Sequence, residues 1–287
     1  MSDLIEIMAA QSSRLDPLPT GLSRRLTKLE GIRAIVFDVY GTLFISGSGD
    51  ISLADEQDRD AVMLAVLEES GFAWSQGAGA VSTLFFEKIK ESNAVARAGG
   101  IDFPEVEIRD IWRELLQCED WKNASNEAID ALAVRYETRV NPVWPMPGLE
   151  TTLDELRGHR MQLGIISNAQ FYTPLLFQHF LGQLPPGLGF ADQLCVWSYR
   201  ERIGKPSQRL FDISVEKLAS CELKPCEVLY VGNDMRNDMV PAAAAGMRTA
   251  LFAGDARSLR LREHSADALP VDIVLTGLGQ LLECVGD

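Results

Sequence analysis

The chain has 287 residues, 46% hydrophobic and 24% charged, proportions that exclude a disordered chain and leave room for one large or two modest domains with a sizeable core. A formal net charge of −14 argues against nucleic acid as a partner, because phosphate backbones are bound through Lys and Arg; beside a small anionic substrate, any local cation gains importance. No stretch approaches the roughly 18 apolar residues of a membrane span, and Met1-Ser2-Asp3-Leu4-Ile5-Glu6 lacks a basic region followed by an apolar run, so a cytoplasmic protein with no membrane partner is expected.

Residues 1–30 read as a short helix, a break at Asp16-Pro17-Leu18-Pro19-Thr20-Gly21 and a basic segment with Arg24, Arg25 and Lys28. A solvated extension packing on the main domain is expected. The apolar run Ile32, Ala34, Ile35, Val36, Phe37 then reads as a buried parallel strand. It delivers Asp38, ahead of Val39-Tyr40-Gly41-Thr42-Leu43-Phe44, to the strand end where open α/β sheets meet their ligands. Asp38 there can be a nucleophile, or it can merely cap a turn.

From about 48 to 141 the pattern becomes helical. One helix is expected around Val62 to Leu67. Val81, Leu84, Phe85, Lys88 and Ile89 form one amphipathic stripe, and Ile108, Ile111, Trp112, Leu115 and Leu116 another, with Asp102 and Pro104 as its start signal. A fourth helix, built on Ile129, Leu132, Ala133, Tyr136 and Val140, ends at Asn141-Pro142. Helices this short need mutual packing, so a second, helical domain is expected, with Phe85 and Trp112 in its core rather than against a substrate.

Past Pro142 strand and helix alternate. Helices are expected at 151–159, 171–181, 208–218 and 239–245, and strands at 162–166, 193–198, 228–231, 249–252 and, more weakly, 272–275. Such alternation implies a parallel sheet covered on both faces, a Rossmann-like three-layer α/β core made of residues 31–47 and 142–287. Gly77-Ala78-Gly79 lies between inserted helices and Gly187-Leu188-Gly189 in a proline-bearing loop, so neither makes a dinucleotide fingerprint. The five cysteines, Cys118, Cys195, Cys221, Cys226 and Cys284, form no Cys-x-x-Cys pair and read as reduced thiols. His159, His179 and His264 lack zinc-type spacing, and no Gly-x-Ser-x-Gly turn offers a nucleophilic serine.

Three further stations follow Asp38. Leu163-Gly164-Ile165-Ile166-Ser167-Asn168 is an apolar strand ending in a hydroxyl and an amide. Gly204-Lys205-Pro206-Ser207 places a lone Lys ahead of a helix start. Val228-Leu229-Tyr230-Val231-Gly232-Asn233-Asp234-Met235-Arg236-Asn237-Asp238 is a strand that delivers carboxylates at its end. Each has an ordinary structural explanation on its own. Taken in this order, over roughly residues 31–280, the four stations resemble the haloacid dehalogenase superfamily of aspartate-nucleophile hydrolases, with residues 48–141 in the place of its C1-type helical cap.

The resemblance implies an enzyme in which Asp38 attacks, Lys205 neutralises the nucleophile and the developing charge, and Ser167, the Asn168 N–H and Thr42 hold phosphoryl oxygens, with Tyr40 also on the substrate side. It implies Mg2+ held by Asp38, the Tyr40 backbone carbonyl and the last motif. There Asn233 or Asp234 faces the metal and Asp238 is a ligand or an outer partner. Hard divalent ions suit such carboxylates. The expected activity is Mg2+-dependent hydrolysis of a small anionic phosphorylated metabolite through an aspartyl-phosphate.

Tyr40 departs from the pattern, because superfamily phosphatases usually carry there a second Asp that protonates the leaving group and activates water. A tyrosine, with a reference pKa near 10, is a poor substitute, and lost general acid–base help costs about 10²- to 10⁴-fold. A substrate whose leaving group departs without a proton is therefore expected. Tyr40 also resembles the metal-independent 2-haloacid dehalogenases, for which Arg59 is the basic candidate early in the insertion. Two carboxylates beside the nucleophile without an offsetting cation weigh against that alternative. The third alternative is a non-catalytic binding protein on the same fold.

Overall fold

The computed structural model describes residues 2–47, 56–75, 80–119 and 121–285; the expected insertion boundary at 48 and the Gly77-Ala78-Gly79 segment lie outside them. The strands are β1 (Ala34–Phe37), β2 (Phe44–Ser46), β3 (Val143–Pro145), β4 (Gln162–Ser167), β5 (Phe190–Trp197), β6 (Val228–Gly232), β7 (Arg248–Phe252) and β8 (Ile273–Leu275). The helices are α1 (Ser2–Gln11), α2 (Glu56–Glu69), α3 (Val81–Ala98), α4 (Ile108–Gln117), α5 (Asn126–Val140), α6 (Leu149–Gly158), α7 (Thr173–Leu181), α8 (Ser198–Glu201), α9 (Gln208–Ser220), α10 (Val240–Ala244) and α11 (Leu281–Cys284). Among the described residues no helix is long and apolar enough to cross a membrane.

Among the described residues six strands form one parallel sheet in the order β5-β4-β1-β6-β7-β8. Successive residues of a strand face opposite sides, so a strand buried on both faces must be apolar throughout. In β1, Ile35 and Phe37 join Leu163, Ile165, Leu229 and Val231 in one core cluster. Ala34 and Val36 join Ile166, Val228 and Tyr230 in the cluster on the other side. β1 lies between β4 and β6, with Phe37 in register with both Ile165 and Val231. The chain order reverses at β1, and such a switch point opens a crevice beyond the strand ends.

The helices α2–α5 have a core of their own, in which Phe85, Ile111, Trp112, Leu115, Ile129 and Leu132 are buried, matching the expected stripes. Phe85 and Trp112 pack with ring centroids 4.6 Å apart and ring planes tilted by 43°. The chain leaves and re-enters the sheet through the antiparallel pair β2 and β3, which period-2 patterning misses because each strand is three residues long. There Ser46 Oγ donates to Asn141 Oδ1 at 2.7 Å.

The start signal read at Asp102 and Pro104 is corrected. The helix begins at Ile108, capped by the Glu107 carboxylate, which accepts from the Arg109 N–H. Asp102 instead accepts from Ser207 Oγ at 2.7 Å. Residues 103–105 run extended beside 202–204: Pro104 pairs with Ile203, the Glu105 N–H donates to the Arg202 carbonyl at 3.1 Å, and the Gly204 N–H donates to the Phe103 carbonyl at 2.7 Å. The extension also does more than lie solvated on the core. α1 packs on both α5 and α7, burying Met8 to 1% exposure, and Arg25 pairs antiparallel with Val274 at the sheet edge.

Candidate active site

The β1 register brings Asp38, Ser167, Lys205 and Asp238 together. Asp38 follows Phe37 directly, and its N–H donates to the Val231 carbonyl at 2.9 Å, continuing the ladder to β6. Asp38 Oδ1 accepts from Ser167 Oγ at 2.9 Å and from Lys205 Nζ at 2.7 Å. The ammonium also donates to Asp238 Oδ1 at 2.6 Å, and the three side chains of this ion triad are nearly excluded from solvent. Burial alone would lower the Lys205 pKa; Asp238 and Asp38 outweigh it and hold the ammonium above its ordinary value. The Lys205 backbone is fixed through Asn168, whose Oδ1 accepts from the Lys205 N–H at 2.6 Å.

Asp238 has both oxygens occupied. Oδ1 accepts from Lys205 and, at 3.0 Å, from the Tyr230 hydroxyl, while Oδ2 accepts from the N–H groups of Asn233 and Asp234, both at 3.0 Å. The turn needs Gly232, because a Cβ there would stand 2.5 Å from Asp238 Cγ. Asp234 lines the same cavity, with its oxygens occupied by other partners. It caps the π-helical turn Met235–Met239 by accepting from the N–H groups of Arg236 and Asn237, and it takes a two-pronged ion pair from Arg262, at 3.2 and 2.5 Å.

Asn233 lies over the loop that follows Asp38. Its Oδ1 accepts from Thr42 Oγ1 at 3.1 Å and its Nδ2 donates to the Ser258 carbonyl at 2.6 Å. The approach is close enough to require Gly41, which has φ +79 and whose missing Cβ would stand 2.4 Å from Ser258 Cβ and 2.7 Å from Asn233 Nδ2. Tyr40 shares a hydrogen bond with Thr173 Oγ1 at 3.0 Å. Burial, then the Glu137 charge, hold its phenol well above the ordinary tyrosine range, so it stays protonated.

Among the described residues no three His, Cys, Asp or Glu side chains form a metal cluster. Asp38 and Asn233 both line the cavity described below, and the oxygens they bring to it are one carboxylate and one amide, the latter joined to the loop after Asp38 through Thr42. Mg2+ usually takes only one or two protein carboxylates and completes its shell with substrate phosphate and water, so this all-oxygen set fits it when a phosphate is present.

These groups open onto a cavity of about 560 Å³ between the sheet end and the insertion. The insertion wall carries two carboxylates that spacing rules do not single out. Glu137 accepts from the Tyr172 hydroxyl at 2.8 Å and from Asn141 Nδ2 at 3.0 Å. Glu105 accepts from Ser198 Oγ at 3.1 Å, from Gln170 Nε2 at 3.3 Å and from the Val106 N–H at 3.1 Å. Burial raises the Glu105 carboxyl to about 7. Tyr230 was also missed, although a hydroxyl inside the apolar run Val228-Leu229-Tyr230-Val231 is a sequence signal for a buried polar contact.

Residues 32–246 match the model of the haloacid dehalogenase-like hydrolases, and the chain belongs to that family of hydrolases. It is 29% identical over 261 residues to a phosphoglycolate phosphatase of Photorhabdus laumondii subsp. laumondii, a match covering 90% of this chain and 94% of that one. It is 27% identical over 180 residues to the rhythmically expressed gene 2 protein of Drosophila melanogaster, covering 57% of this chain and 65% of that one. Among solved structures it resembles a 2-haloacid dehalogenase from Pseudomonas syringae pv. Tomato DC3000, with a TM-score of 0.53, 20% identity and coverage of 88% and 97% of the two chains. That likeness is one of fold.

Proposed function

We propose that the protein is a Mg2+-dependent phosphohydrolase that uses Asp38 as nucleophile on a small phosphorylated metabolite with a good leaving group. The supporting observation is the clamp on Asp38: Ser167 and Lys205 both bind Oδ1, which fixes the carboxylate and leaves Oδ2 to attack phosphorus in line with the leaving oxygen. Asp38, Asp238 and Lys205 sum to one negative charge, and a phosphate dianion adds two more. Mg2+ bound by Asp38, the Tyr40 carbonyl and Asn233 Oδ1 would supply the offsetting charge. Asp238 then acts through Lys205, which it holds in place, and Asp234 through the fold of the turn. Full-length similarity to a phosphoglycolate phosphatase supports phosphate as the group transferred. The buried, protonated Tyr40 supports a leaving group that departs without a proton.

Tyr40 and a neutral Asn233 with Asp234 turned to Arg262 also favour a second reading, metal-free displacement of halide at carbon by Asp38. One pair of assays separates the two. Turnover of p-nitrophenyl phosphate or acetyl phosphate that requires Mg2+ and is abolished in Asp38→Asn is the expected result. Halide release from 2-chloropropionate in EDTA reverses the order, and a purified chain inert to all three substrates indicates a binding protein.

A further inference from the structure

Hydrolysis of an aspartyl-phosphate needs a base for the attacking water, and position 40 cannot supply one. Among the described residues five carboxylates line the cavity: Asp38, Glu105, Glu137, Asp234 and Asp238. Asp38 carries the phosphoryl group, Asp238 is saturated by four donors, and Asp234 is paired with Arg262. Glu137 is held at both oxygens behind Tyr40. Glu105 is likewise held at both oxygens, by Ser198, Gln170 and the Val106 N–H, but it is the one of the two joined to the loops that carry Ser167 and Lys205.

Its placement suits the task. The extended segment 103–105 is anchored to 202–204, directly ahead of Lys205, while Ser198 Oγ links Glu105 to the loop after Ser167 by accepting from the Ala169 N–H at 2.8 Å. Glu105 thus stands on the insertion wall between the two loops whose residues clamp Asp38. Water attacking in line with the Asp38–phosphorus bond must arrive from the side away from Asp38, through the cavity that Asp38 and Glu105 both line.

The Ser198 hydroxyl accommodates either protonation state. It has one proton and two acceptors in reach, Glu105 Oε2 at 3.1 Å and the Ala169 carbonyl at 3.2 Å. When Glu105 is ionised the hydroxyl donates to it; when Glu105 is protonated, the acid donates to Oγ and the hydroxyl turns to Ala169.

We propose that Glu105 is the general base for the second half-reaction, supplied by the insertion in place of the residue that Tyr40 displaces. The water oxygen bonds to phosphorus as one of its protons passes to the Glu105 carboxylate. The bond from phosphorus to the Asp38 oxygen breaks, its electron pair restores the Asp38 carboxylate, and inorganic phosphate leaves. Glu105 then returns its proton to solvent. The assignment rests on the aspartyl-phosphate reading above and concerns only its breakdown. Among the described residues, the charged and titratable groups that act on Glu105 are Arg202, which favours the ionised form, and Tyr172, which stays protonated.

Rapid mixing with p-nitrophenyl phosphate and Mg2+ tests it. Glu105→Gln is expected to release about one equivalent of nitrophenolate per chain at the wild-type burst rate. Steady turnover should then fall by about 10²- to 10³-fold, with the intact protein one phosphoryl group heavier by mass. Wild-type steady turnover should decline as pH drops below about 7, where Glu105 becomes protonated, and the burst should not. Burst and steady rates falling together in the variant, steady turnover left unchanged, or a wild-type turnover flat across that pH range each overturn the assignment. The pH measurement holds even if Glu105→Gln does not fold. Activity surviving in Asp38→Asn is the separate result that removes the aspartyl-phosphate itself.

Discussion

Lys205 binds Asp38 at 2.7 Å from a position fixed by its second carboxylate, Asp238, at 2.6 Å, so the nucleophile is aimed by a buried ion triad rather than by a lone cation. Removing the middle member leaves two uncompensated carboxylates. Lys205→Met is therefore expected to cost about 3–5 kcal/mol in urea unfolding and at least about 10²-fold in kcat. Adding Asp238→Asn removes one of the stranded charges, so the double variant should recover part of the stability and none of the activity. Recovery of both together would mean that Lys205 serves the fold alone.

The two residues after Gly232 should separate cleanly. Asn233 faces the nucleophile loop, so Asn233→Asp adds a second carboxylate to the proposed ion site and is expected to lower the Mg2+ concentration for half-maximal activity by about tenfold. Asp234 is occupied by Arg262 and two N–H groups. Asp234→Asn should leave the Mg2+ dependence in place and cost about 1–2 kcal/mol through the weakened cap and ion pair. The reverse pattern in a Mg2+ titration would assign the metal to Asp234.

The legible parts of this site are those set by local pattern. Asp38, Ser167 and Asn233 stand where apolar runs stop, and strand ends converge in a parallel sheet whatever the loops do. The facing of Asp234 is not local, since it depends on Arg262, 28 residues further on. Glu105 is hidden for the same reason: it sits in a segment whose conformation is set by pairing with residues 202–204, about a hundred positions away in sequence. The helix start misread at Asp102 shows the competition directly, because the capping oxygen expected there is taken by Ser207 from another part of the chain. The stripes of α3–α5 were readable because helical burial repeats every three to four residues.

Tyr40 sets which leaving groups react. Its hydroxyl is committed to Thr173 and its proton is held by burial, so it gives no help to a departing alkoxide. Tyr40→Asp places an ionisable carboxyl beside the scissile bond and is expected to raise the rate on an alkyl phosphate relative to p-nitrophenyl phosphate by about ten- to a hundredfold. Loss of the tyrosine ring will lower stability, so the ratio of the two rates in one preparation is the measurement that counts. A ratio equal to that of wild type removes the leaving-group account.

Met8 connects the first helix to the site from behind. It is 1% exposed and lies with Val134 of α5 and Leu176 of α7 around a narrow void that also touches Tyr40 and Tyr172. One side chain of the extension thus packs on the insertion and on the sheet core at once. Met8→Ala is expected to lower the unfolding free energy by about 2–4 kcal/mol, the range for emptying a buried site of this size. Leu18, 47% exposed on the same extension, serves as the control: Leu18→Ala should stay within about 0.5 kcal/mol of wild type. Equal and small effects at both positions would show that residues 1–30 are an outlying extension after all.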